Sequence, residues 1–159
     1  MYRLPHVVNS ILAKGREAGV SISPMKLQKL LYFFYRDYLK ATQTPLFGAR
    51  FEPWPYGPVV PEVYYAFKGY NAEPIDSYML DEEGHLRQYS TDGNDAYARV
   101  FNAVWRRYGI LSGIELSKVT HKSSSAWYKA MQWEYVYLRD DDIKGDTADV
   151  EPDESSFSS

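Results

Sequence analysis

The chain contains no cysteine, so disulfides, thiolate nucleophiles and cysteine-bearing zinc fingers are all excluded. Its three histidines, His6, His85 and His121, are scattered and form no H-E-x-x-H pattern, so no metal site is expected. There is no G-x-S-x-G nucleophile elbow. The nearest approach to a phosphate loop, Tyr56-Gly57-Pro58, lacks both the repeated glycines and the Lys-Ser/Thr pair. Asp140, Asp141 and Asp142 are consecutive, whereas a calcium loop alternates its ligands around a central glycine and ends on a glutamate. No secretory leader stands at the N-terminus, and no run approaches the ~20 apolar residues that span a bilayer. A cytoplasmic protein without cofactor, metal or membrane insertion is therefore expected.

Aromatic residues are plentiful: 16% of the 159 residues, with 15 tyrosines among them. Tyrosine and tryptophan join apolar area to a polar tip, which suits wet-edged cores and protein interfaces alike. The net charge of −3 is unevenly distributed. Residues 139–159 hold eight acidic side chains against Arg139 and Lys144, a net −6, while the other 138 residues hold 16 basic and 13 acidic ones, a net +3. That basic surplus is too small to point to nucleic acid as a partner.

Leu4, Val7, Val8, Ile11 and Leu12 repeat at helical spacing, with Pro5 in the first turn and Gly19 at the end, predicting a helix from about Pro5 to Ala18. Ser23 caps a second helix with Pro24 at its first position. Leu27, Leu30, Leu31, Phe34 and Tyr38 form its main face, and Tyr32, Phe33, Tyr35 and Leu39 widen it. Only Lys26, Lys29, Arg36 and Lys40 make a polar stripe, so this is the core helix. Four prolines between Pro53 and Pro61 argue against a regular central strand there, although Phe51–Trp54 can be extended. Pro61 opens a helix with Val63, Tyr64 and Phe67 facing inward.

Residues 78–80 and 85–89 flank Asp81-Glu82-Glu83-Gly84 and predict a small β-hairpin. Further helices follow over Ala96–Tyr108, after the Ser112/Glu115 capping box, and after a cap among Ser123–Ser125. Beyond Leu138 apolar residues nearly vanish, which predicts a disordered acidic tail. The expected architecture is a mainly helical domain over residues 1–138, of five to six helices with a small β-hairpin, followed by the tail at 139–159.

Two places could carry function. Gly57 between prolines makes a stiff turn that holds Trp54 and Tyr56, either as core rings or as rigid anchors for a partner. Thr120 and His121, near Ser123 and Trp127, close a helix; a Thr side chain bonds a carbonyl there and a cationic His favours the helix dipole. An enzyme using Thr120, His121 and a tyrosine such as Tyr56 is the competing reading. The Gly113–Thr120 and Ala126 helices superficially suggest a helix-turn-helix, but the second offers Trp127, Tyr128, Ala130 and Met131 with only Lys129 basic.

Met25–Tyr32 (MKLQKLLY), Pro45–Phe47, Phe51–Trp54, Tyr56–Pro61 (YGPVVP) and Val63-Tyr64 together resemble the Panacea domain of the SocA-like, or phage-associated GepA-like, antitoxin family. Tyr108-Gly109, Leu116–His121 and Trp127 resemble its C-terminal signature, so the likeness spans about residues 4–133. Ala126 stands where the family commonly has proline. The resemblance implies an antitoxin that neutralises a cognate protein toxin from a neighbouring gene, by contact or as an adaptor delivering it to a cytosolic protease. It assigns structural roles to Leu27, Leu30, Leu31, Tyr32, Gly57, Pro58, Thr120, His121 and Trp127. The expected partner contacts are Lys26, Lys29, Trp54, Tyr56 and Tyr64. No appended DNA-binding domain is seen, so promoter autoregulation is not expected.

Overall fold

Ser23 lies extended and its hydroxyl accepts the Lys26 N–H at 3.2 Å, while Pro24 fills a position whose N–H needs no partner; helix α2 then runs Pro24–Thr42. Leu27, Leu30, Leu31, Tyr32, Phe33 and Phe34 along it are each at most 2% exposed. At ~1.5–3 kcal/mol per large apolar side chain, this helix contributes more burial energy than any other element. The computed structural model describes residues 1–151 and packs five of the other helices directly on α2, while the sixth, Ala126–Gln132, rests on its own neighbours.

Helix α1 (Leu4–Ala18) ends on Gly19 in the left-handed conformation, φ 69°. Helix α3 (Pro61–Phe67) continues into a 3₁₀ turn at Lys68–Tyr70. Asp95 caps α4 (Ala96–Tyr108), the capping box of Ser112 and Glu115 opens α5 (Gly113–Thr120), and Ser125 caps α6 (Ala126–Gln132). A short α7 follows at Asp140–Lys144. Rings lock α2 to its neighbours: Phe33 stacks on Tyr108 of α4 at 4.2 Å, and Phe34 meets Tyr97 and Phe101 edge-on at 5.0 and 5.4 Å. The domain is mainly helical with one two-stranded antiparallel hairpin.

That hairpin is not where the sequence pattern put it. Strands β1 (Glu52–Trp54) and β2 (Gly57–Val59) pair in the proline-rich segment, with Trp54 opposite Gly57 and Pro53 opposite Pro58. The two prolines form the middle pair of a two-residue hairpin, the pair whose N–H groups point away from the partner strand. No ladder bond is lost by their lacking a donor. Residues 78–89 form no strands. Their backbone groups bond to α1 instead: Asn9 Nδ2 donates to Met79 O and Arg87 O, both at 2.9 Å, Met79 N donates to Asn9 Oδ1 at 2.7 Å, and Ser10 Oγ donates to Tyr89 O at 3.0 Å. Asp81, buried beside His6 at 2.9 Å, gathers the turn by accepting the N–H groups of Glu83 and His85.

Two further expectations are corrected. The polar stripe on α2 does not face solvent: Lys26, Lys29 and Arg36 are 4%, 1% and 5% exposed. Nor does the segment from residue 139 leave the fold, because Ile143, Asp146 and Ala148 are buried. Asp146 accepts from Tyr32 Oη at 2.5 Å, Arg36 Nη1 at 3.4 Å and the Ala126 N–H that opens α6 at 3.1 Å. Arg36 Nη1 also donates to Ala148 O at 2.6 Å, and Lys40 Nζ donates to Asp146 O. Through Asp146 the acidic segment thus supplies counter-charge to Arg36, which α2 buries. The expected tail beyond residue 151 lies outside the described residues.

Candidate partner-binding surface

Hairpin β1–β2 is a short ribbon, and such ribbons are marginal unless something else orders them. Here side chains from three helices do so by donating to its carbonyl oxygens. Trp127 Nε1 donates to Trp54 O at 2.7 Å, His121 Nε2 to Pro55 O at 2.7 Å and Ser117 Oγ to Tyr56 O at 2.6 Å. From α2, Lys29 Nζ donates to Pro58 O at 2.9 Å. Gln28 takes both groups of Val60, donating to its carbonyl at 3.1 Å and accepting its N–H at 3.0 Å. Five carbonyls between residues 54 and 60 are therefore held by five different side chains.

Gly57 lets the helices come this close. Its φ of 123° is strained for any L side chain, and a Cβ there would lie 2.6 Å from Thr120 Oγ1 and 2.7 Å from Lys29 Cε. Thr120 Oγ1 donates to Ser117 O at 2.7 Å, and His121 Nδ1 contacts that same carbonyl at 2.5 Å. The His121 ring packs on Trp127 with centroids 4.0 Å apart. Both ring nitrogens of His121 lie against carbonyls and the Thr120 hydroxyl shares one of them, Ser117 O, so these two side chains form no nucleophile–base pair with each other. Ser117, His121 and Trp127 work together as a clamp on the turn, and Thr120 packs against Gly57 beneath it.

Electrostatics sharpen the same picture. Lys29 is buried with a neutral carbonyl as its partner, and burial lowers its pKa from 10.5 to about 7. Burial also lowers that of Lys26, an effect opposed by the Glu115 charge nearby. Neither lysine stands on the surface as an expected contact would.

The aromatic residues sort differently. Tyr56 at the tip is 68% exposed, Tyr64 is 38% exposed and Trp54 is half-buried, its Nε1 also donating to Glu52 Oε1 at 2.9 Å. Tyr64 does not face inward with Val63 and Phe67, which are 1% and 2% exposed; it packs edge-on against Trp54 at 4.8 Å. Tyr65, which sequence reasoning passed over, is 63% exposed and 5.4 Å from Tyr64. The signal was present: with Val63 and Phe67 four residues apart on the buried face, Tyr65 falls on the other side. Gln28 and Ser117 were also missed, because nothing in a sequence shows which carbonyl a buried amide or hydroxyl will reach.

The family profile described as "Antitoxin SocA-like, Panacea domain" matches residues 27–128, from the helix carrying Gln28 and Lys29 to the one carrying Trp127. The chain belongs to the SocA-like antitoxin family. It is 30% identical over 125 residues to Antitoxin SocA of Caulobacter vibrioides (strain NA1000 / CB15N). That alignment covers 76% of this chain and 66% of the relative, so the chain spans just under two thirds of the relative's length. No solved structure matches it. The span matched by the SocA-like family, residues 27–128, contains every side chain that holds the hairpin carbonyls.

Proposed function

We propose that this protein is an antitoxin that neutralises a cognate protein toxin, encoded by a neighbouring gene, through direct binding at the hairpin turn and the outer face of α3. The observation that carries the reading is a turn fixed by side-chain bonds to five carbonyls, with exposed Tyr56 at its tip and Tyr64 and Tyr65 beside it. An anchor held rigid before binding loses little conformational entropy on association. Exposed tyrosines on such a frame suit a contact surface. The unit that performs this extends past residue 138 at least to residue 148, since Asp146 and Ala148 are bonded into the core.

Co-expression with the adjacent open reading frame tests the reading. That frame alone should arrest growth, growth should be restored beside this protein, and the two should co-purify. A harmless neighbour, or toxicity that persists in the presence of this protein, defeats the proposal. Toxin abundance in the same cultures separates masking, which leaves it unchanged, from delivery to a cytosolic protease, which lowers it.

A further inference from the structure

A pocket of about 190 Å³ opens beside the hairpin, between the start of α2, the strand β2 and α3. Its walls include Met25, Leu27, Trp54, Val59, Val63 and Tyr64, and Lys29 is the one ionisable side chain among its lining residues other than tyrosine. The volume is below the roughly 300–1,000 Å³ of pockets for drug-sized ligands and is of the scale of one large side chain.

Lys29 is the anomaly. An ammonium has three donors, and this one makes a single described hydrogen bond, to the neutral Pro58 carbonyl. Arg36, buried on the same helix, is matched by Asp37 and Asp146, whereas Lys29 forms no ion pair among the described residues. Whenever it is protonated, Lys29 is a buried cation without a counter-charge, which is unfavourable for the fold, and an uncharged side chain of similar length would avoid that cost. The missing element is an anion, and the walls around the lysine are apolar.

We propose that this pocket receives an apolar side chain of the partner protein with a carboxylate beside it, and that the carboxylate pairs with Lys29. The identity of the partner as a toxin rests on the reading above; the chemistry of the pocket does not. A leucine-sized group would fill the space between Val59, Val63 and Tyr64, and its companion carboxylate would take the unused ammonium donors. The pocket shares Trp54, Tyr56 and Tyr64 with the exposed contact surface, so one partner segment can engage both.

Two small probes test this on the full-length protein without any toxin: N-acetyl-leucine, which carries a carboxylate, and N-acetyl-leucinamide, its neutral counterpart. The ε-methyl NMR signal of Met25 reports on the pocket wall, and those of Met79 and Met131 serve as controls. N-acetyl-leucine should shift the Met25 signal saturably and bind about tenfold more tightly than the amide, the difference expected of one charge-assisted hydrogen bond. In Lys29→Gln the two probes should bind alike. Equal affinity in the unaltered protein overturns the proposal, as does a Met25 signal that neither probe moves. The comparison of probes on the unaltered protein decides the matter even if the variant does not fold. Its failure leaves the co-expression result untouched, so the two readings fall separately.

Discussion

Gly57 shows how a single residue can set the geometry of a surface. The position combines a positive φ with contacts that leave no room for a methyl group: Thr120 Oγ1 and Lys29 Cε on one side and the paired strand on the other. Gly57→Ala should therefore cost about 3 kcal/mol in unfolding free energy, from backbone strain and displacement of Lys29 together. Denaturant unfolding measures this, and a loss below about 1 kcal/mol would mean the turn accommodates a side chain. Lys29 makes a second prediction, in pH. Its pKa is about 7 in the fold and 10.5 ordinarily, so between these values the unfolded chain binds a proton that the folded one does not. Stability should rise as pH increases through that window. Buried Tyr32, Tyr35, Tyr97 and Tyr108, with raised pKa values, act in the opposite sense above about pH 10. Unfolding free energies at about pH 7 and 9.5 should show the rise, and Lys29→Gln should flatten it. A flat profile in the unaltered protein would show that Lys29 is not desolvated as described.

At the scale of elements, the C-terminal segment tests how much its charges matter. Asp146 ties the segment to two helices by accepting from α2 through Tyr32 and Arg36 and from the first N–H of α6. Asp149 accepts from Tyr108 Oη and Arg107 Nε on α4, both at 2.7 Å. Removing the Asp146 carboxylate leaves Arg36 with less of its counter-charge in a buried place, so Asp146→Ala should destabilise by about 3–5 kcal/mol. Thermal unfolding should show a marked drop in Tm, whereas the exposed Glu83→Ala should leave Tm nearly unchanged; equal effects would place Asp146 at a solvated surface. This segment was illegible in the sequence for a physical reason. Low apolar content signals disorder only if charges stay in water, and here Asp146 meets the Arg36 guanidinium that α2 holds inside. The reverse error came at residues 78–89, where alternation suggested a hairpin but Asn9 and Ser10 of α1 supplied the backbone bonds. Local pattern read the helices and their caps well, because a cap such as Ser112 with Glu115 is complete within four residues. It failed where the deciding partner lay some 70 or more residues away, and at the proline-rich hairpin, where the prolines masked a local pairing.

Across the whole molecule, the same distinction separates what could be seen of the contact surface from what could not. The family motifs located the turn, and Tyr56 and Tyr64 were among the contacts expected there although Tyr64 was also expected to face inward; only the folded arrangement shows that both are exposed, that Lys26 and Lys29 are withdrawn and that Tyr65 is presented. Burial of α2 and the carbonyl bonds hold the frame, while the outer tyrosines contribute little to it. Tyr56→Ala, Tyr64→Ala and Tyr65→Ala combined should then change Tm by only a few degrees. If each ring contributes about 1–2 kcal/mol to binding, the triple variant should bind its toxin at least 100-fold more weakly. Gly57→Ala, by contrast, should lose stability and binding together. Calorimetry of the variants and titration against the toxin identified by co-expression compare the two cases. A triple variant that unfolds early would make these tyrosines part of the core, and one that binds unchanged would place the interface on another face.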